Sequence, residues 1–195
     1  MDKLKIGEIN DALATLFQNE GNFAIFDDLA NFAKTQSANT FKNDSYVDAV
    51  LLTRYMFRNT KKSARILTGH GGDVEFLNTL QAAFREMLKR AEENFSCVKV
   101  IFLANEIPEF ITTAFKRFID SKILVCRALQ NHNSKPIRHF MVCDNDMVRV
   151  EEPHNVLCRD SKADEIKAKM YFKNESMASA YASVFDLLWE KSTDK

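Results

Sequence analysis

The chain has 195 residues, 46% of them hydrophobic, and its 27 basic side chains balance 27 acidic ones. That length and apolar share suffice for one well-buried domain with a small appendage, and a net charge of zero gives no electrostatic reason to seek nucleic acid or an anionic membrane. No apolar run approaches the roughly 18 residues of a membrane helix, and Met1-Asp2-Lys3-Leu4-Lys5 leads into no apolar signal core, so the expectation is a soluble, cytoplasmic chain without membrane insertion.

From the N-terminus, Ile9, Leu13, Leu16 and Phe17 recur at helical spacing within Ile6 to Gln18, and Val47, Val50, Leu51 and Phe57 do so within Asp44 to Arg58. Between them lie Phe23, Phe26, Phe32 and Phe41. This aromatic stripe reads first as helix packing and second as an interaction surface or dimer contact. Residues 1–60 are therefore expected to form a helical N-terminal region packed on a main domain of residues 61–195.

In the main domain, Ser63 to Gly69 reads as a strand entering a glycine turn. Asp73 to Asn94 reads as a long helix with Leu77, Leu80, Phe84, Leu88 and Ala91 on one face. Ser96 to Ala104 is a second, buried strand, followed by a helix over 107–120 and a strand from Lys122 to Arg127. Further on, Ile166 to Phe172 leads into a helix ending at Lys191, with Asn174 as its cap and Glu175 in its first turn. Met177, Tyr181, Val184 and Leu188 are its expected apolar face. Helices alternating with strands predict an α/β domain with a central sheet.

Four features off this frame bear on chemistry. The loop Gly69-His70-Gly71-Gly72 reads first as a tight turn capped by Asp73, and second as an anion-receiving loop from which His70 would approach His139. It lacks the G-K-[ST] of a nucleotide loop. Cys97, Cys126, Cys143 and Cys158 have no C-x-x-C spacing and read as small buried hydrophobes rather than metal ligands or disulfides. Lys61, Lys62, Arg65, Lys167 and Lys169 read as solvated faces.

The fourth feature, Ile137 to Arg149, is the most informative. Apolar residues run to Cys143, Asp144-Asn145-Asp146 signals a turn, and alternation resumes from Met147, which predicts a β-hairpin. A period of two puts His139, Met141 and Cys143 on one face. With Asn145 and Asp146 as turn residues, Glu152 lies opposite His139 and orients its imidazole; a slip of one residue substitutes Glu151. Glu151, Glu152 and His154 form with His139 the densest ionisable cluster of the chain. A metal needs at least three convergent ligands, and Glu151-Glu152-Pro153-His154 on an extended segment points successive side chains apart, so neither metal nor cofactor is expected. Arg149 reads as an exposed ion pair or as a cation for a ligand phosphate.

His139, Met141 and Asp146 have the spacing of an H-x-K-x-x-x-x-D signature whose lysine is replaced by methionine. On this motif, on the order of elements from about Ser63, and on Phe185-Asp186-Leu187-Leu188-Trp189, which is similar to the F-x-x-L-W ending of many members, the chain resembles the phospholipase D superfamily. The resemblance implies an α-β-α sandwich with a mixed central sheet, preceded here by the helical N-terminal region. In that superfamily two motifs face one site, one histidine attacking phosphorus and the other protonating the leaving oxygen.

A single motif copy implies a homodimer for any active site, with His139 as nucleophile and Asp146 as its motif partner. A thioether at position 141 carries no charge, and losing a preorganised cation removes several kcal/mol of transition-state stabilisation, roughly. No G-S-x-N element follows the motif; Asn174 is its nearest echo. The expectation is a non-catalytic binding or regulatory module for a protein partner or a phosphorylated ligand, with His70, Arg149, Glu151, Glu152 and His154 as ligand-binding candidates. The alternative is a weak dimeric phosphodiesterase acting on nucleic acid or phospholipid.

Overall fold

A computed structural model of the chain describes residues 4–18, 40–43, 45–69, 74–130, 137–154, 157–161 and 166–194. Its elements are α1 (Ile6–Gln18), β1 (Thr40–Asn43), α2 (Tyr46–Asn59), β2 (Ala64–Gly69), α3 (Val74–Glu93), β3 (Val98–Leu103), α4 (Glu109–Ala114), α5 (Lys116–Asp120), β4 (Leu124–Ala128), β5 (His139–Cys143), β6 (Met147–Glu151), β7 (Ala168–Tyr171) and α6 (Glu175–Lys191).

The strands form one sheet in the order β1-β7-β6-β5-β2-β3-β4. β2, β3 and β4 are parallel, and β5, β6, β7 and β1 extend the sheet antiparallel from β2. The sheet is mixed, as expected. β3 (VKVIFL) reads as a near-continuous apolar run because helices cover the central strands from both sides.

The two faces of the sheet differ in depth. On one, Val98, Val100, Phe102, Leu124, Cys126, Met141, Cys143 and Met147 pack with buried residues of α1 to α5 in the larger core. On the other, Leu67, Ile101, Phe140, Val142, Val148 and Val150 pack under Ala178 and Phe185 of α6. The structure is thus an α-β-α sandwich with unequal helical layers.

The long helix buries Leu80, Phe84, Leu88 and Ala91, as its spacing predicts. Asn174 caps α6 by accepting from the Met177 backbone N–H at 3.0 Å. Other details differ. The helix anticipated over 107–120 is two short ones hinged at Phe115, and Lys122 turns left-handed (φ 59°), which delays β4 to Leu124. On α6 Met177, Tyr181 and Leu188 pack on the sheet as their spacing predicts, beside the fully buried Ala178 and Phe185, whereas Val184 is 46% exposed; its neighbour Phe185, about 100° further round the helix, takes the buried place.

Within residues 1–60, the two expected helices form, but Thr40–Asn43 is a strand that pairs with β7 at the sheet edge. Phe23, Phe26 and Phe32 lie outside the described residues. Ile6, Ile9 and Leu13 are buried in the larger core, and Leu16 is 37% exposed. The Tyr46 hydroxyl donates to Asn10 Oδ1 at 2.9 Å, and the Arg54 guanidinium lies 4.0 Å from the Phe17 ring centroid, so α1 and α2 are joined by buried polar and cation–π contacts. No helix among the described residues is long and apolar enough to cross a membrane.

Candidate functional site

β5 and β6 are joined by Asp144, Asn145 and Asp146, and the first two of these have left-handed backbone, φ 52° and 73°. Asp and Asn accept that conformation more readily than other non-glycine residues. The Asp144 carboxylate accepts the backbone N–H groups of Lys61, Lys62 and Ser63 at 2.5, 2.8 and 3.0 Å, which ties the hairpin tip to the start of β2. With three residues in the loop, pairing runs from Cys143–Met147 to His139–Glu151. Glu151 therefore faces His139, and the first-choice register, with Glu152 there, is corrected. Glu152 points outward to Arg138, at 3.0 Å.

The same register sets Met141 directly opposite Arg149. His139, Met141 and Cys143 share the face of the larger core with Met147, Arg149 and Glu151, because alternate residues of a strand share a face. This brings a cation beside the methionine. Arg149 is not the exposed ion pair first read from the sequence; it is 6% exposed, as is Glu151.

Glu151 divides its two oxygens. Oε2 pairs with Arg149 Nη1. Oε1 lies 2.5 Å from His154 Nε2 and 3.7 Å from His139 Nδ1. The two imidazoles meet edge-on, with ring centroids 5.3 Å apart. Burial pushes the Glu151 carboxyl up, but the Arg149 charge and the two imidazoles overturn that effect and hold it well below the usual carboxylate range. The divergence expected of Glu151-Glu152-Pro153-His154 holds for the first two residues and fails for His154: past the end of β6 the chain brings its ring back onto Glu151. One donor atom from each of His139, Glu151 and His154 lies within 4.8 Å of the others.

His139 itself is seated by a glycine. A Cβ at Gly69 would lie 1.9 Å from His139 Nε2 and 2.3 Å from Cε1, so the ring occupies the place of a side chain at the end of β2. With Nδ1 toward Glu151, Nε2 abuts this main chain.

The remaining polar atoms converge on a cavity of about 80 Å³ between the sheet and α2, lined by Thr53, Phe57, Ile66, His139, Met141 and Arg149 among others. Arg149 Nε and Nη2 and Thr53 Oγ1 are buried there without a hydrogen-bond partner among the described residues. Each such group costs about 1–3 kcal/mol, more when charged. Thr53 gave no sequence signal, since a threonine inside a helix is unremarkable until the opposite layer is known. Gly69 reads from the sequence as part of a tight turn or an anion-receiving loop, although a glycine closing a strand also marks close approach of another group.

Other candidates lie elsewhere. Asp146 is at the hairpin tip, a five-residue strand away from His139, about 14 Å along it. Burial first, and then the neighbouring carboxylates Asp144 and Glu175, raise its pKa. Arg65 pairs with Asp186 of α6 at 3.0 Å, and Lys169 is exposed. His70 lies outside the described residues. Cys126 and Cys143 are buried and free, with thiols pushed up to about 12 by burial.

No family model and no curated protein matches the sequence. Solved structures do match its fold. TrmBL2, an archaeal chromatin protein, superposes with a TM-score of 0.60 at 12% identity over 96% of this chain, which spans 66% of TrmBL2. Nuc of Salmonella typhimurium, a phospholipase D family member, gives 0.57 at 15% identity over 80% of this chain and 99% of Nuc. The phosphatidylserine synthase of Haemophilus influenzae gives 0.57 at 16% identity over 80% of this chain, which spans 39% of the synthase. With strand order, helical layers and these superpositions in agreement, the chain has the phospholipase D-like fold.

Proposed function

We propose that this chain is a non-catalytic phospholipase D-like module that recognises a phosphorylated ligand through Arg149. The observation carrying this reading is the buried guanidinium with Nε and Nη2 unpartnered in the cavity beside His139. Two N–H groups of a guanidinium match two oxygens of a phosphoryl group. Thr53 Oγ1, from the opposite wall, adds a hydroxyl.

Two further points favour holding over cutting. Met141 supplies no charge of its own, and His139 Nε2 packs against the Gly69 main chain. TrmBL2, an archaeal chromatin protein with a novel mode of DNA binding, is in keeping with a binding use of this fold. The balanced charge of the present chain, 27 against 27, favours a small phosphorylated group over a nucleic-acid duplex.

Calorimetric titration with inorganic phosphate tests the reading. Saturable binding that weakens several-fold in Thr53→Val and is lost in Arg149→Met, with Arg149→Lys intermediate, is expected; binding indifferent to all three substitutions overturns it. The second reading, a weak dimeric phosphodiesterase with His139 as nucleophile, is favoured by one observation, the placement of Arg149 opposite Met141. Hydrolysis of bis-p-nitrophenyl phosphate that disappears in His139→Ala, by a species twice the chain mass, would establish it instead.

A further inference from the structure

We infer that His139, Glu151 and His154 form a binding site for a divalent first-row metal ion, which together with Arg149 supplies the positive charge that Met141 does not. The inference rests on the phosphoryl-binding reading only for the role of the ion, not for its site. Three observations carry it.

The first is donor chemistry. Two imidazoles and one carboxylate make an N2O set suited to Zn2+ and its neighbours, leaving at least one position for an exogenous ligand. The three donor atoms come from two adjacent strands and the segment just after β6, and all lie within 4.8 Å of one another. A tetrahedral ion with bonds of about 2.1 Å spaces its ligand atoms about 3.4 Å apart. His139 Nδ1 already stands 3.7 Å from Glu151 Oε1. His154 Nε2, at 2.5 Å from the same oxygen, has only to open by roughly an ångström, as expected where a metal takes the place of a shared proton.

The second is the way Glu151 is held. Arg149 Nη1 engages Oε2 and leaves Oε1 to the imidazoles. A ligating carboxylate whose distal oxygen is fixed by a further partner is the usual outer arrangement of a metal site. Seating on Gly69 fixes the His139 ring in the same way, with Nδ1 toward the carboxylate.

The third is where the open position would face. Arg149, on the other side of Glu151, keeps two buried nitrogens unpartnered in the adjoining cavity. An oxyanion bridging the ion and that guanidinium would meet both, a combination that recurs where phosphoryl oxygens are clamped.

The probes are Zn2+, Co2+ and inorganic phosphate, applied to the full chain stripped with chelator. One Zn2+ per chain is expected, with the visible bands of four-coordinate Co2+. Affinity should fall about a hundredfold or more in His154→Ala and in Glu151→Gln, exceeding the 10–100-fold typical of outer-shell partners. Because Glu151→Gln also disturbs Arg149, His154→Ala is the deciding variant. No stoichiometric ion, or an ion retained unchanged by His154→Ala, overturns the inference. Phosphate binding that needs no metal but needs Arg149 overturns the inference and leaves the proposed function standing. Metal binding without phosphate binding does the reverse.

Discussion

The two faces of the β5–β6 hairpin are built from the same ten strand residues and yet differ in kind. Toward α6, Phe140, Val142, Val148 and Val150 meet Ala178, Tyr181 and Phe185 in an apolar contact. Toward α2 and α3 the face starts apolar, with Cys143, Met147 and Met141, and ends in Arg149, Glu151 and His139. The difference shows that burial alone does not decide what a strand face is for. The α6 face is stabilised by area removed from water, whereas the other carries an ion pair in the same depth of protein, where desolvation opposes the Coulombic gain.

Breaking the apolar side should have the largest effect. Phe185 is fully buried and stacks on Trp189 with ring centroids 5.6 Å apart, so Phe185→Ala is expected to cost about 3–5 kcal/mol in urea unfolding. On the polar side, Arg149→Met alone leaves Glu151 buried without its cation and should cost a similar or slightly smaller amount, about 3–4 kcal/mol. The double substitution Arg149→Met with Glu151→Met should recover most of that loss. If the double variant is as unstable as the single, the ion pair is not what holds that end of the hairpin.

Acid sharpens the same contrast. The folded-state pKa of Glu151 is depressed, so its contribution is present above its unfolded value, about 4.3, and is lost as pH falls through the lower folded value. The stability difference between wild type and the double variant should shift against wild type as pH falls below about 4. Equal slopes for the two proteins in that range would contradict the assignment. The smallest effect is reserved for Val184→Ser, within about 0.5 kcal/mol, because this residue faces away from the sheet.

The sequence carried a good part of this. Period-two alternation put His139, Met141 and Cys143 on one face, and the strand and helix order carried the sandwich. The register was not legible, because it turns on whether the loop uses two residues or three, and that depends on Asp144 and Asn145 both turning left-handed. Once three is known, Arg149 falls opposite Met141 and Glu151 opposite His139 by counting. The return of His154 onto Glu151 follows an irregular segment after Pro153, for which no periodicity exists. Four residues, TFKN, are too few to signal the edge strand β1, which forms because β7 offers an unpaired side.

The vacancy of a β-carbon at Gly69 reaches beyond stability. Because the His139 ring fills that space, the two positions are not free to vary separately: any larger residue at 69 evicts the imidazole, and a small residue at 139 would release 69 to become something else. In descendants and relatives of this chain the pair should be inherited as one character. Loss of the glycine then marks lineages that have given up the histidine's role, whatever remains of the surrounding sequence.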